Sequence, residues 1–131
     1  MIEVVIPMEP DNALFPNAIG RGGHWGKRSK SHATCRQVAR YAAMESGMHL
    51  EPIEGPVALT IHVGYGYRRV KPDLDATISA CKPFIDGLVD AGILVDDDQV
   101  QKITATHEKL PSKRGHRAQG FTRIHIKETA S

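Results

Sequence analysis

The sequence predicts an α+β fold, a mixed four- to five-stranded sheet with two main helices, in a small single domain spanning 1–131. Three observations predict it. Several short stretches are β-branched and alternate apolar with polar residues, the pattern of half-buried strands. Between them run segments whose apolar and small residues recur at helical spacing and close on a glycine. The length of 131 residues suits one domain, enough to bury about two-thirds of the unfolded surface.

Ile2 to Pro7 (IEVVIP) reads as the first strand. The stretch from Met8 to His32 is rich in Pro, Gly, Asn and base, and reads as loop. From Ser31 to Met48, Ala33, Val38, Ala39, Ala42 and Ala43 predict a helix with Gly47 as its stop. Val57, Leu59, Ile61 and Val63 share one face of a strand from Pro56 to Tyr67. Pro83 interrupts what would otherwise be one helix from Ala76 to Asp90. Proline suits the first turn of a helix and not its interior. The spacing therefore predicts a short turn from Ala76 to Ser79, then a helix from Pro83 to Asp90 ended by Gly92. Gln99–Glu108 and Gly120–Lys127 are two further strands, with LPSKRGHRAQ as a hairpin loop between them.

Cys35 and Cys81 are too few and too far apart for a disulfide framework, and no signal segment or long apolar run is present. The chain thus reads as soluble and cytoplasmic, with no membrane partner. Its net charge of +2 is too small to argue nucleic-acid binding, but the distribution is uneven. Seven of the fifteen acids lie between Asp73 and Asp98 with one base, Lys82, so a segment of −6 sits in a chain that is otherwise +8.

Asp73 and Asp75 follow a strand; on extended backbone both point to one face. Asp96, Asp97 and Asp98 follow the next helix. The stretch between reads as a helix returning to a strand, so folding is expected to bring the two acidic ends together. Gathered carboxylates repel unless a hard cation joins them, and Mg2+ takes oxygen ligands from carboxylates, water and phosphate. A basic surface around such a pocket suits an enzyme acting on a polyanion. The plainer reading is that Asp75 caps a helix and Asp96 to Asp98 form a polar turn. Lys82 between the two groups tips the balance toward a metal site.

Arg68-Arg69, Asp73-Leu74-Asp75-Ala76, Lys82, Asp86-Gly87-Leu88, Gly92, Asp96-Asp97 and Gln99-Val100 follow one another in that order. In this the segment resembles the RusA-type Holliday-junction resolvases (crossover junction endodeoxyribonucleases), small endonucleases of bacteria and phages. Their pattern is a basic stretch, D-x-D-N, a lysine, D-x-L, a glycine and D-D before a strand. Pro7, Asn17, His24-Trp25, Arg28 and Arg36 are similar, more loosely, to that family's opening loop and helix. Two departures stand out: Ala76 replaces the usual Asn, and Lys82 lies three residues further from Asp75.

The resemblance implies a nuclease that uses Mg2+, with Mn2+ as a substitute, and no nucleotide cofactor. It implies a homodimer that resolves four-way (branched) DNA by paired symmetric nicks in recombination and repair. It implies metal ligation by Asp73, Asp75 and Asp97, Asp96 as a weaker partner of Asp97, and Lys82 as an electrostatic assistant. Lys82 at the scissile phosphate and Lys82 as an i, i+4 pair with Asp86 carry equal weight. Asp86 and Asp90 read as helix-surface groups.

Arg21, Lys27, Arg28 and Lys30 form a basic loop suited to DNA phosphates, as do Arg68 and Arg69 ahead of the carboxylates. An ordinary solvated loop is the plainer reading. Trp25 reads as a base-stacking residue or as one packed on the domain surface. Lys113, Arg114, His116 and Arg117 read equally as a backbone contact or a solvated tip. The histidines lack HExxH or CxxC-type spacing, and the GRGG run has no Walker lysine, so neither zinc nor a nucleotide loop is expected. Two rivals remain: a module that binds junctions without cutting, and a nucleotide-handling enzyme using Asp73-Leu74-Asp75. For a dimer interface the first strand and the Ser31–Met48 helix are the candidates.

Overall fold

Val57, Leu59, Ile61, Val63 and Tyr65 occupy every second position of one strand, and all five are buried. A strand so apolar on one face belongs inside a sheet, with partners on both edges. The structure, a computed structural model, describes residues 1–11, 14, 25–47, 51–66, 72–112, 116 and 118–129, without the side chains of 25–28. Its strands are β1 (Ile2–Ile6), β2 (Val57–Tyr65), β3 (Val100–Lys109) and β4 (Phe121–Glu128), in the order β1-β4-β2-β3. β4 pairs antiparallel with both β1 and β2, whereas β2 and β3 are parallel, Val57 beside Val100 and Tyr65 beside Lys109. Two main helices, α1 (Trp25–Gly47) and α3 (Lys82–Asp90), pack on each other, and a two-turn helix α2 (Leu74–Ala80) precedes α3. The fold is α+β, as expected.

Three expectations are corrected. The strands β3 and β4 do not form a hairpin, because β2 lies between them and the 110–120 segment joins strands that are not neighbours. The reason is burial. No residue of β3 is fully buried, so it takes an edge, while β2 takes the centre. The helix α1 begins at Trp25, inside the stretch read as loop. Lys and Arg favour helix but leave no apolar period, which is why the spacing announces it only from Ser31. Within α1 the buried stripe is Cys35, Ala39 and Ala43, whereas Ala33 is exposed. Finally, the Ala76–Ser79 turn is a full helix from Leu74 to Ala80.

The stripe's small side chains let α1 and α3 approach closely. A Cβ on Gly87 would lie 2.6 Å from the Arg36 carbonyl oxygen and 2.7 Å from the Ala39 Cβ. Arg36 clasps Asp90 through both Nε and Nη2, the latter donating to Oδ1 at 2.8 Å, and His32 Nε2 stands 3.5 Å from Asp86. The Asp90 carboxylate raises the Arg36 pKa, and the Arg36 guanidinium in turn holds Asp90 below the ordinary carboxylate range. Pro83 sits in the first turn of α3, where no backbone donor is required. At the other end Gly92 adopts φ +83° while its N–H donates to Val89 O and that of Ile93 to Leu88 O, a Schellman stop. Cys35 and Cys81 are free and buried, and burial pushes the Cys81 thiol up to about 12, so it packs as a small apolar group. Among the described residues no helix is long and apolar enough to cross a membrane.

The close approach predicts that Gly87→Ala lowers stability by about 1–3 kcal/mol, since both nearest backbones must shift. Urea denaturation measures it; an unchanged midpoint would mean that α1 and α3 do not meet at Gly87.

Candidate functional site

Asp73 is the N-cap residue of α2, with φ −63° and ψ 151°, yet its side chain makes no capping hydrogen bond. Asp75 lies in the first helical turn, where a negative charge is favoured by the helix dipole. Both are exposed. The carboxylates at this end are therefore left over from local structure. The expected capping role of Asp75 is not what the geometry displays: the cap is Asp73, and it caps with backbone alone.

At the other acidic group, Asp96 caps a 3-10 turn, Asp97–Gln99, by accepting the Asp98 N–H on Oδ1 at 3.3 Å. The plain reading of aspartate in a turn thus holds for Asp96. The turn is secured by Gln99, a buried amide whose partners are all backbone. Its Oε1 accepts from Val95 N at 2.6 Å and Asp96 N at 2.9 Å, and its Nε2 donates to Ile53 O at 2.6 Å and Gly55 O at 2.8 Å. Gln99 thereby ties the acidic turn to the segment leading into β2.

Lys82, at the elbow between α2 and α3, makes the i, i+4 pair expected of it and one further contact. Its Nζ donates to Asp86 Oδ1 at 2.9 Å, the i, i+4 pair, and also to Asp97 Oδ2 across the gap between α3 and the acidic turn. The hydrogen bond to Asp97, and then that to Asp86, holds the ammonium above its ordinary pKa against the pull of partial burial. Asp97 is lowered in turn, first by Lys82 and then by Asp96. Half of the Lys82 side chain and 45% of that of Asp97 remain accessible, so water screens the pair and its worth to stability is small.

Among the described residues no three His, Cys, Asp or Glu side chains stand close enough to hold a metal ion. The parallel register supplies the reason. Asp97 immediately precedes the Val100 end of β3, while Thr77, one turn after Asp73, is hydrogen-bonded to Tyr65 and His107 near the other end. Val100 and His107 are separated by about 23 Å of strand at ~3.3 Å per residue. The exposed carboxylates are the kind of oxygen donor that a hard cation takes.

The remaining candidates divide by place. Lys27, Arg28 and Lys30 lie in the opening turns of α1, and Lys30 and His116 are exposed. Arg21, Arg68, Arg69, Lys113, Arg114 and Arg117 fall outside the described residues. Sequence reasoning missed four polar side chains at the Tyr65 end of the sheet. Thr77 Oγ1 stands 2.7 Å from Tyr65 Oη and 3.0 Å from His107 Nδ1, and buried Glu9 accepts the Gly66 N–H on Oε1 at 2.8 Å. A signal existed for two of them. Continuing the inward alternation of Val57 to Val63 reaches Tyr65, and that of Ile103 and Ala105 reaches His107.

No family model matches the chain. It is 37% identical over 91 residues to an uncharacterized protein of Xylella fastidiosa, covering 67% of this chain and 56% of that protein, so it spans little more than half of its relative's length.

Two predictions follow from the acidic turn. Gln99→Leu strands two carbonyls and two N–H groups, each worth about 1–3 kcal/mol if left buried and unpaired. Faster hydrogen exchange at Val95 and Asp96 than at β2 amides is the expected sign, and equal rates would count against the tie. The second concerns titration. Lys82, raised, favours the fold below the ordinary lysine value and loses that contribution as pH climbs through its own; Asp97, lowered, favours it above the ordinary carboxylate value and loses it as pH falls through its own. Asp97→Asn should therefore bring the Lys82 titration, followed by NMR at Nζ, down toward that of a free lysine.

Proposed function

We propose that this chain is a structure-selective, metal-dependent endodeoxyribonuclease that resolves four-way DNA junctions by paired symmetric nicks, acting as a homodimer. The observation that carries the reading is that one segment holds two carboxylates unused by local structure and a cation placed at its acidic turn. Asp73 and Asp75 are exposed and unused by the helix cap, and the Lys82 ammonium faces the acidic turn. The order of these residues along the chain, with Asp96 and Asp97 before Gln99-Val100, adds the likeness to RusA-type resolvases.

In this reading Lys82, held above its ordinary pKa, is fully charged wherever DNA is handled. It exchanges Asp97 for a phosphate oxygen and offsets the charge that builds on the phosphorus oxygens. Arg21, Lys27, Arg28, Lys30, Arg68 and Arg69 follow the phosphate backbone, and each phosphate contact made adds about one unit to the log–log salt slope. Mg2+, or Mn2+ in its place, is the cofactor of the reading, in which such an ion activates water and neutralises charge. Because the described residues do not assemble three donors, no step here runs through the ion. The two-fold symmetry of a four-way junction matches a closed pair of identical subunits, each nicking one strand.

A junction-binding module that does not cut is the second reading, and it is favoured by Lys82 already being engaged by Asp86 and Asp97. Incubation with four-way, Y-shaped and linear DNA, with Mg2+ and with chelator, separates the two. The nuclease reading expects symmetric nicks in the four-way substrate alone, abolished by chelator. Asp75→Asn should cut slower by about a hundredfold or more while binding the junction as before. Tight binding without cleavage in any metal leaves the module; wild-type nicking by Asp75→Asn removes Asp75 from the site.

A further inference from the structure

A helix of two turns has little stability of its own, because nucleation costs more than so few hydrogen bonds return. The direction in which α2 presents Asp73 and Asp75 is therefore set by what ties it to the rest of the molecule. Only Thr77 and Ala80 of α2 are buried, and alanine packs without fixing a rotation about the helix axis. Thr77 is different. It is fully buried, and its Oγ1 lies 2.7 Å from the phenol of Tyr65, itself fully buried, and 3.0 Å from Nδ1 of His107. Tyr65 closes β2 and His107 lies near the end of β3, so one hydroxyl pins α2 to the two parallel strands at once. The Tyr65 and His107 rings meet edge to face at 6.1 Å, which limits where either polar atom can go. Among the described residues no other side chain of α2 hydrogen-bonds to the sheet.

The same residue reaches the carboxylates through its backbone. The Thr77 N–H donates to the Asp73 carbonyl at 3.0 Å, closing the first turn of α2, with Asp75 inside that turn. With the Asp73 side chain absent from the cap, this backbone bond is what holds the Asp73 carbonyl to the helix.

We infer that Thr77 is a positioning residue for the Asp73–Asp75 pair, and that Tyr65 and His107 act through it. The inference rests on the nuclease reading for its catalytic consequence and on the fold alone for its structural one. Removing the hydroxyl while keeping the shape leaves Tyr65 and His107 in place and frees α2 to rotate and fray. Groups that orient the side chains contacting a reacting centre, without touching it themselves, typically change activity by about 10–100-fold when removed.

The test uses the full chain with Thr77→Val, Thr77→Ser and Tyr65→Phe. Amide exchange is followed in α2 and in β2, and junction affinity is measured apart from the turnover number. The expected result for Thr77→Val is exchange in α2 that speeds up relative to β2, turnover lower by about 10–100-fold, and an unchanged Kd for the four-way junction. Thr77→Ser, which keeps the hydroxyl, should restore both exchange and turnover. Tyr65→Phe removes the phenol's hydrogen bond to Thr77 and should give a weaker version of the same pattern, including where Thr77→Val does not fold. Exchange in α2 that is unaltered, or turnover that is unaltered while exchange rises, overturns the inference. If wild-type protein cuts no junction, the nuclease reading fails by itself, and exchange in α2 alone then decides whether Thr77 holds this turn.

Discussion

The parallel pairing of β2 with β3 is the constraint on which the rest of this molecule depends. Parallel neighbours cannot be joined by a tight turn; the chain must leave one end of the pair and return to the other. Here that return is made by α2 and α3, which pass along one side of the sheet and bury Ala80, Cys81, Phe84, Ile85 and Leu88 in the core. Every chemically interesting side chain of the acidic segment is placed by this crossover. Asp73 and Asp75 stand where it begins, Lys82 at its elbow, and Asp97 where it re-enters the sheet. A hairpin between the same strands would have left no room for the helices and no reason for the elbow.

A crossover has polar ends, and these are closed by a few buried side chains. Thr77 holds its start to Tyr65 and His107, while Gln99 knots its end to the backbone of Ile53 and Gly55. Glu9 does a related task for the turn at Gly66, where a Cβ would lie 1.8 Å from the Ala118 carbonyl oxygen and only glycine fits. In each case the side chain supplies hydrogen bonds at a buried position, so exchanging it for an apolar residue of equal size costs hydrogen bonds without restoring packing. Local order around the acidic groups is thus a matter of hydrogen bonds more than of apolar area.

Much of the fold was legible because it rests on periodicity. Val57 to Val63 marked the central strand, Pro83 and Gly92 bracketed α3, and Cys35, Ala39 and Ala43 continue a helical spacing already visible in Ala39 and Ala43. Strand adjacency carries no such period, and so β3 and β4 looked like a hairpin when β2 in fact lies between them. The start of α1 was hidden for a similar reason, since solvated basic residues leave no apolar mark. At the acidic groups the turn at Asp96 and the i, i+4 pair of Lys82 with Asp86 were legible, and the reach of Lys82 to Asp97 was not. That contact depends on how the crossover bends, which no spacing encodes.

Charge completes the account of the acidic segment. Taken as sequence it is a block of −6, but the fold neutralises much of it at short range. Asp90 is clasped by Arg36, Asp86 lies between Lys82 and His32, and Asp97 takes the other side of Lys82. Asp96 gives an oxygen to its own turn. Among the described residues the Asp73 and Asp75 carboxylates make no ion pair and no capping hydrogen bond, and they stand together at the start of a helix whose Thr77 hydroxyl bonds to the sheet. Neighbouring carboxylates in that condition repel unless a counter-charge reaches them, whether a hard cation or a basic side chain. The negative charge of the segment that no basic side chain meets among the described residues therefore lies at two places, Asp73 and Asp75 in the first turn of α2 and Asp96 and Asp98 at the turn before β3.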